Sequence, residues 1–175
     1  MTATTLSIFL TFCPAPDYHG VQSWPQSYDD LIAYHADANL VPRFLARAII
    51  REESHFDPLA QSYEWKYSKR LKRWVKTDKV LARGIAQVSA NPVHESDHVR
   101  RAGMRLQDYD WRDPGDSLRV GMAYLGRLLV YFGGELRPSV SAYNSGRDRA
   151  AEWWSGRRAL PIETSRYMAN VLGID

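Results

Sequence analysis

The residues best suited to chemistry are two adjacent carboxylates, Glu52 and Glu53, followed by Ser54. They close a stretch in which Arg43, Arg47 and Arg51 recur every four positions while Phe44, Leu45, Ala48 and Ile49 are expected to face inward, the pattern of an amphipathic helix. At 100° per residue both glutamates fall toward the apolar side, away from the arginine stripe. A carboxyl placed there is poorly solvated and lies near the negative end of the helix dipole, and both effects raise its pKa. A carboxyl still protonated near neutral pH is what protonation of a glycosidic oxygen requires. The plainer reading pairs one glutamate with an arginine and leaves the other in solvent. Periodicity does not choose between the two acids and slightly favours Glu52 as the more inward-facing.

Three further groups carry useful chemistry. Gly84-Ile85-Ala86-Gln87 offers a close backbone approach and one side-chain amide, although on its own a turn entering a helix accounts for it better. Ala142-Tyr143-Asn144-Ser145-Gly146 sets a ring and an amide at a helix end, which suits carbohydrate recognition as well as simple capping. Glu163-Thr164 followed by Tyr167 reads as a helix start with one buried tyrosine. The five histidines show no ligand spacing, so no metal is expected, and nothing calls for a cofactor. Cys13 is the single cysteine, so no internal disulfide can form.

Positioning these groups falls to one compact domain, the size that 175 residues and 45% hydrophobic content support. Residues 1–26 read as an arm and irregular lead-in rich in proline. Their short apolar run lacks a basic flank, a poor signal peptide, and Leu10-Thr11-Phe12-Cys13 is only a loose lipoprotein site because Phe12 is bulky. The domain is expected over 27–175. Ser27 and Asp30 mark a helix start running to about Ala38, and Pro42 opens the helix that ends on Ser54. Alternating aromatics and charges over 61–80, around Lys69 to Lys72, predict a β-hairpin. Helices follow from Asn91-Pro92, from Asp113-Pro114 to Gly133-Gly134 (Leu118, Met122, Leu125, Leu129 and Phe132 in step), and over Pro138–Tyr143, Asp148–Trp154 and Thr164–Leu172. The expected class is mainly α, with a small β element.

Taken in order, Glu-Ser, Gly-x-x-Gln, Ala-Tyr-Asn-x-Gly and Glu-Thr-x-x-Tyr resemble the catalytic domain of soluble lytic transglycosylases, lysozyme-like enzymes related to goose-type lysozyme. Ile49-Ile50-Arg51 before the acid adds to the likeness, which spans roughly residues 28–172. The resemblance implies a lysozyme-like α+β fold and Glu53 as the one catalytic acid, since the family's acid directly precedes the serine. It further implies that Ser54 anchors the loop behind the acid, Gln87 bonds sugar groups, Tyr143 and Asn144 line the cleft, and Tyr167 brings its hydroxyl near the acid. Two departures stand out: Ala86 where the family carries a bulky residue, which predicts a wider cleft floor, and Ser145 for a smaller one. The 31 positions from Glu53 to Gly84 are also more than usual, so 61–80 is an insertion beside the cleft. Trp65 and Trp74 are its expected glycan-stacking residues; a solvated hairpin is the bland alternative.

The implied substrate is the peptidoglycan glycan strand, cut between N-acetylmuramic acid and N-acetylglucosamine with closure of a 1,6-anhydro ring by a single carboxyl, where ordinary glycosidases use two. A hydrolytic lysozyme remains the nearest alternative, with Asp57, Glu95 or Asp97 as second acid, and an inactive wall-binding virion module is the alternative of another class. Net charge is only +3, but Lys66, Lys69, Arg70, Lys72, Arg73, Lys76 and Lys79 crowd one stretch. Its candidate partners are nucleic acid, a membrane face or acidic wall polymers; no recognition motif accompanies the cations, so nucleic acid is not expected. No apolar run is long enough to span a bilayer. The expected location is the cell envelope or periplasm, or a virion, with phage-tail or secretion-apparatus proteins as partners.

Overall fold

The computed structural model describes residues 28–174. The N-terminal arm, with Cys13, and the Ser27 cap lie outside the described residues. Seven helices and three short strands are described: α1 (Asp29–Ala38), α2 (Arg43–Ser54), β1 (Gln61–Ser68), β2 (Arg73–Arg83), β3 (Val88–Ser89), α3 (Pro92–Arg101), α4 (Pro114–Tyr131), α5 (Leu136–Ser145), α6 (Arg147–Trp154) and α7 (Ile162–Leu172). The class is the expected one, mainly helical with a small antiparallel sheet ordered β1-β2-β3.

Local chemistry explains most boundaries. Asn91 and Asp113 cap α3 and α4 by accepting from the backbone N–H of Val93 and Asp116, each with proline at the next position. His55 ends α2 in the left-handed region, its N–H donating to the Arg51 carbonyl, which sets Glu52 and Glu53 on the last turn of the helix. Leu45, Ile49 and Ile50 of α2 are fully buried with Leu118, Met122 and Leu125 of α4, and with Val140 and Val171 of α5 and α7. The inward face of α2 is turned slightly from the expected one: Phe44 is 45% exposed, while Ala46 and Ile50 take core positions. Arg47, which ion-pairs with Asp29 of α1, and Arg51 draw the polar stripe toward the neighbouring helices instead of open water.

The hairpin forms where alternation placed it, with Lys69–Lys72 as its tip, but β2 runs on to Arg83 and a two-residue third strand follows. The Gly84–Gln87 segment is therefore a turn between strands, not the entry to a helix. Glycine is required at its start. Gly84 has φ +81°, and a Cβ there would sit 2.5 Å from the Trp111 carbonyl oxygen and 2.7 Å from Ser117 Oγ.

Candidate active site

Glu53, on the last turn of α2, accepts a 2.6 Å hydrogen bond at Oε1 from the Tyr167 hydroxyl of α7. Burial pushes its carboxyl up to about 7; the Tyr167 hydrogen bond opposes the rise and the Glu52 charge adds to it. A neutral carboxyl that accepts on one oxygen carries its proton on the other, so near neutrality Glu53 is a poised acid. Glu52 has a different environment. Its Oε1 accepts from Arg51 and its Oε2 from the Asn170 amide, so both of its oxygens are engaged by neighbours. The helical wheel leaned toward Glu52; neighbours on α7, invisible to periodicity, separate the two.

Both acids lie in a groove of about 950 Å³ walled by Tyr63, Trp65 and Lys76 of the hairpin, by Gln87 of the turn and Val88 of β3, and by Tyr124, Tyr143 and Asn144 of the helices. Tyr143 donates to the Ala86 carbonyl over 2.9 Å, and burial pushes its phenol well up, so it stays a neutral donor. This contact depends on Gly121 of α4, where a Cβ would meet Ala86 Cβ at 2.5 Å and the Tyr143 hydroxyl at 2.8 Å. Ala86 itself is fully buried against that glycine, and it is Gly121 that lines the groove at this point. Gln87, at φ 48°, spends its amide nitrogen on the Ala60 and Gly84 carbonyls, which leaves its oxygen as an acceptor without a partner among the described residues. Asn144 Oδ1 accepts from Thr164, so α5 and α7 meet at the groove edge.

Two expected residues fall outside. Ser54 is buried and turns its hydroxyl back onto the Ile50 carbonyl of its own helix, which secures the last turn of α2 but faces no ligand. Trp74 packs edge-on against Tyr67 one step further out along the hairpin, beyond the groove wall that includes Trp65. The suggested second acids are occupied elsewhere: Asp57 accepts from the Leu59 N–H, Glu95 forms a two-oxygen pair with Arg83, and Asp97 pairs with Arg100 and Arg101. Gly121, Tyr124, His98 and Glu163 also line the groove, although no local pattern marks them as groove residues. A glycine inside the strongly helical α4 pattern was the available signal for close packing. Burial, with help from Arg127, pushes His98 below the ordinary histidine range, and its ring lies 4.5 Å from Tyr124, so it adds a largely neutral, flat surface. Among the described residues no group of three His, Cys, Asp or Glu is placed to hold a metal ion.

Comparison with known proteins gives this geometry a family. The model of the transglycosylase SLT domain matches residues 30–165, and the chain belongs to that family. It is 25% identical over 168 residues to a soluble lytic murein transglycosylase of Escherichia coli strain K12, covering 90% of this chain and 24% of that protein. The 70 kDa soluble lytic transglycosylase of Escherichia coli superposes with a TM-score of 0.65 at 24% identity, over 85% of this chain and 23% of that one. An inactive glutamate-to-glutamine mutant of lytic transglycosylase Slt from Pseudomonas aeruginosa gives 0.64 at 24% identity, with the same coverage. The chain thus spans about a quarter of the length of these relatives.

Proposed function

We propose that this chain is a lytic murein transglycosylase that cuts peptidoglycan glycan strands with Glu53 as acid and then base. The observation that carries the reading is the Glu53 carboxyl, buried, held near pKa 7 and oriented by Tyr167 in an open groove walled by aromatic and amide side chains. The proton of Glu53 passes to the oxygen between N-acetylmuramic acid and N-acetylglucosamine as the bond from that oxygen to the anomeric carbon breaks. The acetamido oxygen of the muramic acid shares the positive charge that develops. Glu53, now a carboxylate, takes the proton of the C6 hydroxyl, and that oxygen closes on the anomeric carbon. The products are a free sugar hydroxyl and a 1,6-anhydro end; no water is consumed, and Glu53 regains its proton.

Family membership and the names of the relatives support this chemistry, as does the occupied state of Asp57, Glu95 and Asp97. Trp65, Tyr143, Asn144 and the Gln87 oxygen are the proposed sugar contacts. Glu163, on the groove, is the acid that a hydrolytic route would use. Such a chain acts where the wall is: in the cell envelope, or in a phage tail or secretion apparatus that must cross it.

Digestion of purified sacculi by wild type and Glu53→Gln, with products weighed by mass spectrometry, tests the proposal. The expected fragments are each one water lighter than hydrolysed ones and disappear with the substitution. Fragments of hydrolysed mass would replace the route with a lysozyme's, and cleavage by Glu53→Gln would remove Glu53 from it.

A further inference from the structure

The hairpin tip is out of proportion to a glycan-binding role. Lys69, Arg70, Lys72 and Arg73 surround Leu71, and among the described residues none of the four has an acidic partner, whereas Lys66 and Lys79 lower on the strands both pair with Glu64. Leu71 is 50% exposed at the apex, and the Tyr67–Trp74 pair directly beneath it is 52% and 63% exposed. A sugar strand would use the rings and gain nothing from four unpaired cations. A soluble polyanion would use the cations, and a single-stranded one the rings as well, but neither gains from an exposed aliphatic apex. An anionic bilayer surface matches both, because cations meet lipid phosphates while Tyr and Trp settle at headgroup depth and an aliphatic apex enters the acyl boundary.

We propose that the β1–β2 tip is a membrane-docking finger for an anionic phospholipid surface. Three strand steps separate Trp65 in the groove wall from Ser68 at the foot of the tip, so a docked finger holds the near edge of the groove roughly 10 Å from the lipid at about 3.3 Å per strand residue. The face that carries Trp65 and Lys76 into the groove is continued by Tyr67 and Trp74, paired opposite one another. The finger therefore links lipid contact to the groove through one rigid ladder. It is independent of the catalytic proposal, since binding needs no turnover.

Co-sedimentation of the full chain with phosphatidylcholine vesicles, with and without phosphatidylglycerol, at physiological salt is the test. Wild type and Glu53→Gln are expected to bind the mixed vesicles equally and the neutral ones at least tenfold more weakly. Leu71→Ser, which keeps every cation, should lose at least threefold, and the combined Lys69→Gln, Arg70→Gln, Lys72→Gln and Arg73→Gln variant at least tenfold. Circular dichroism melts should match wild type, since all these side chains are exposed. Brominated lipid should quench tryptophan fluorescence in wild type and not in Trp74→Phe. The proposal is overturned by absent binding to mixed vesicles, by Leu71→Ser binding as wild type does, or by equal retention on soluble double-stranded DNA.

Discussion

At the scale of single residues, the proposed mechanism makes activity, as well as stability, depend on the protonation state of Glu53. Its native pKa, about 7, stands above the ordinary 4.5, so the folded state binds more protons than the unfolded chain between those values. The stability tied to this carboxyl is complete below pH 4.5 and is lost as pH rises toward 7. Glu53→Gln, which keeps an acceptor for Tyr167, should therefore be inactive yet more stable than wild type at pH 8, by up to roughly 3 kcal/mol. The difference should vanish below pH 4.5, as denaturant titrations at the two pH values would reveal. Activity should fall tenfold per unit above about pH 7, where the acid is lost. The Tyr167 hydroxyl stabilises the carboxylate, so Tyr167→Phe should shift that falling limb to higher pH, beyond whatever it costs in rate. A limb that stays put or moves down would show that the hydrogen bond does not set the acid.

At the scale of elements, two glycines allow the site to be built. In Gly84→Ala the new methyl meets the Trp111 carbonyl and Ser117 at a positive φ, and the expected loss is about 2–4 kcal/mol, readable as a lowered midpoint in urea. Gly121→Ala should cost roughly 1–3 kcal/mol by overpacking. It should also depress cleavage disproportionately, because Tyr143 must leave its place on the Ala86 carbonyl. Cleavage lost only in proportion to unfolded protein would contradict that coupling. On the hairpin, Trp65→Ala should weaken retention on insoluble sacculi several-fold while Trp74→Ala leaves it nearly unchanged, since only Trp65 reaches the groove.

At the scale of the whole molecule, what the sequence disclosed depended on whether a feature was local. Capping residues, the α4 heptad-like run and the alternating aromatics are local signals, and the corresponding helices and hairpin stand close to where they were expected. The choice of Glu53 over Glu52 was not local. It depends on Tyr167 and Asn170, more than a hundred positions away, and only the ordered set of motifs pointed to it before the fold was known. β3 is too short for any periodicity to announce. Trp74 belongs to the expected hairpin but lies beyond the groove wall, because alternation specifies a strand and not how far along it the groove extends.

The bond between Glu53 and Tyr167 joins residues 114 positions apart. Its two halves leave the ribosome at different times. Until Ile162–Leu172 has emerged and seated itself on α2, the acid lacks both its orienting partner and part of its dry surroundings. A nascent or proteolytically clipped chain without α7 thus lacks the oriented carboxyl on which the proposed cleavage depends, and length of chain becomes a control on when that chemistry can begin.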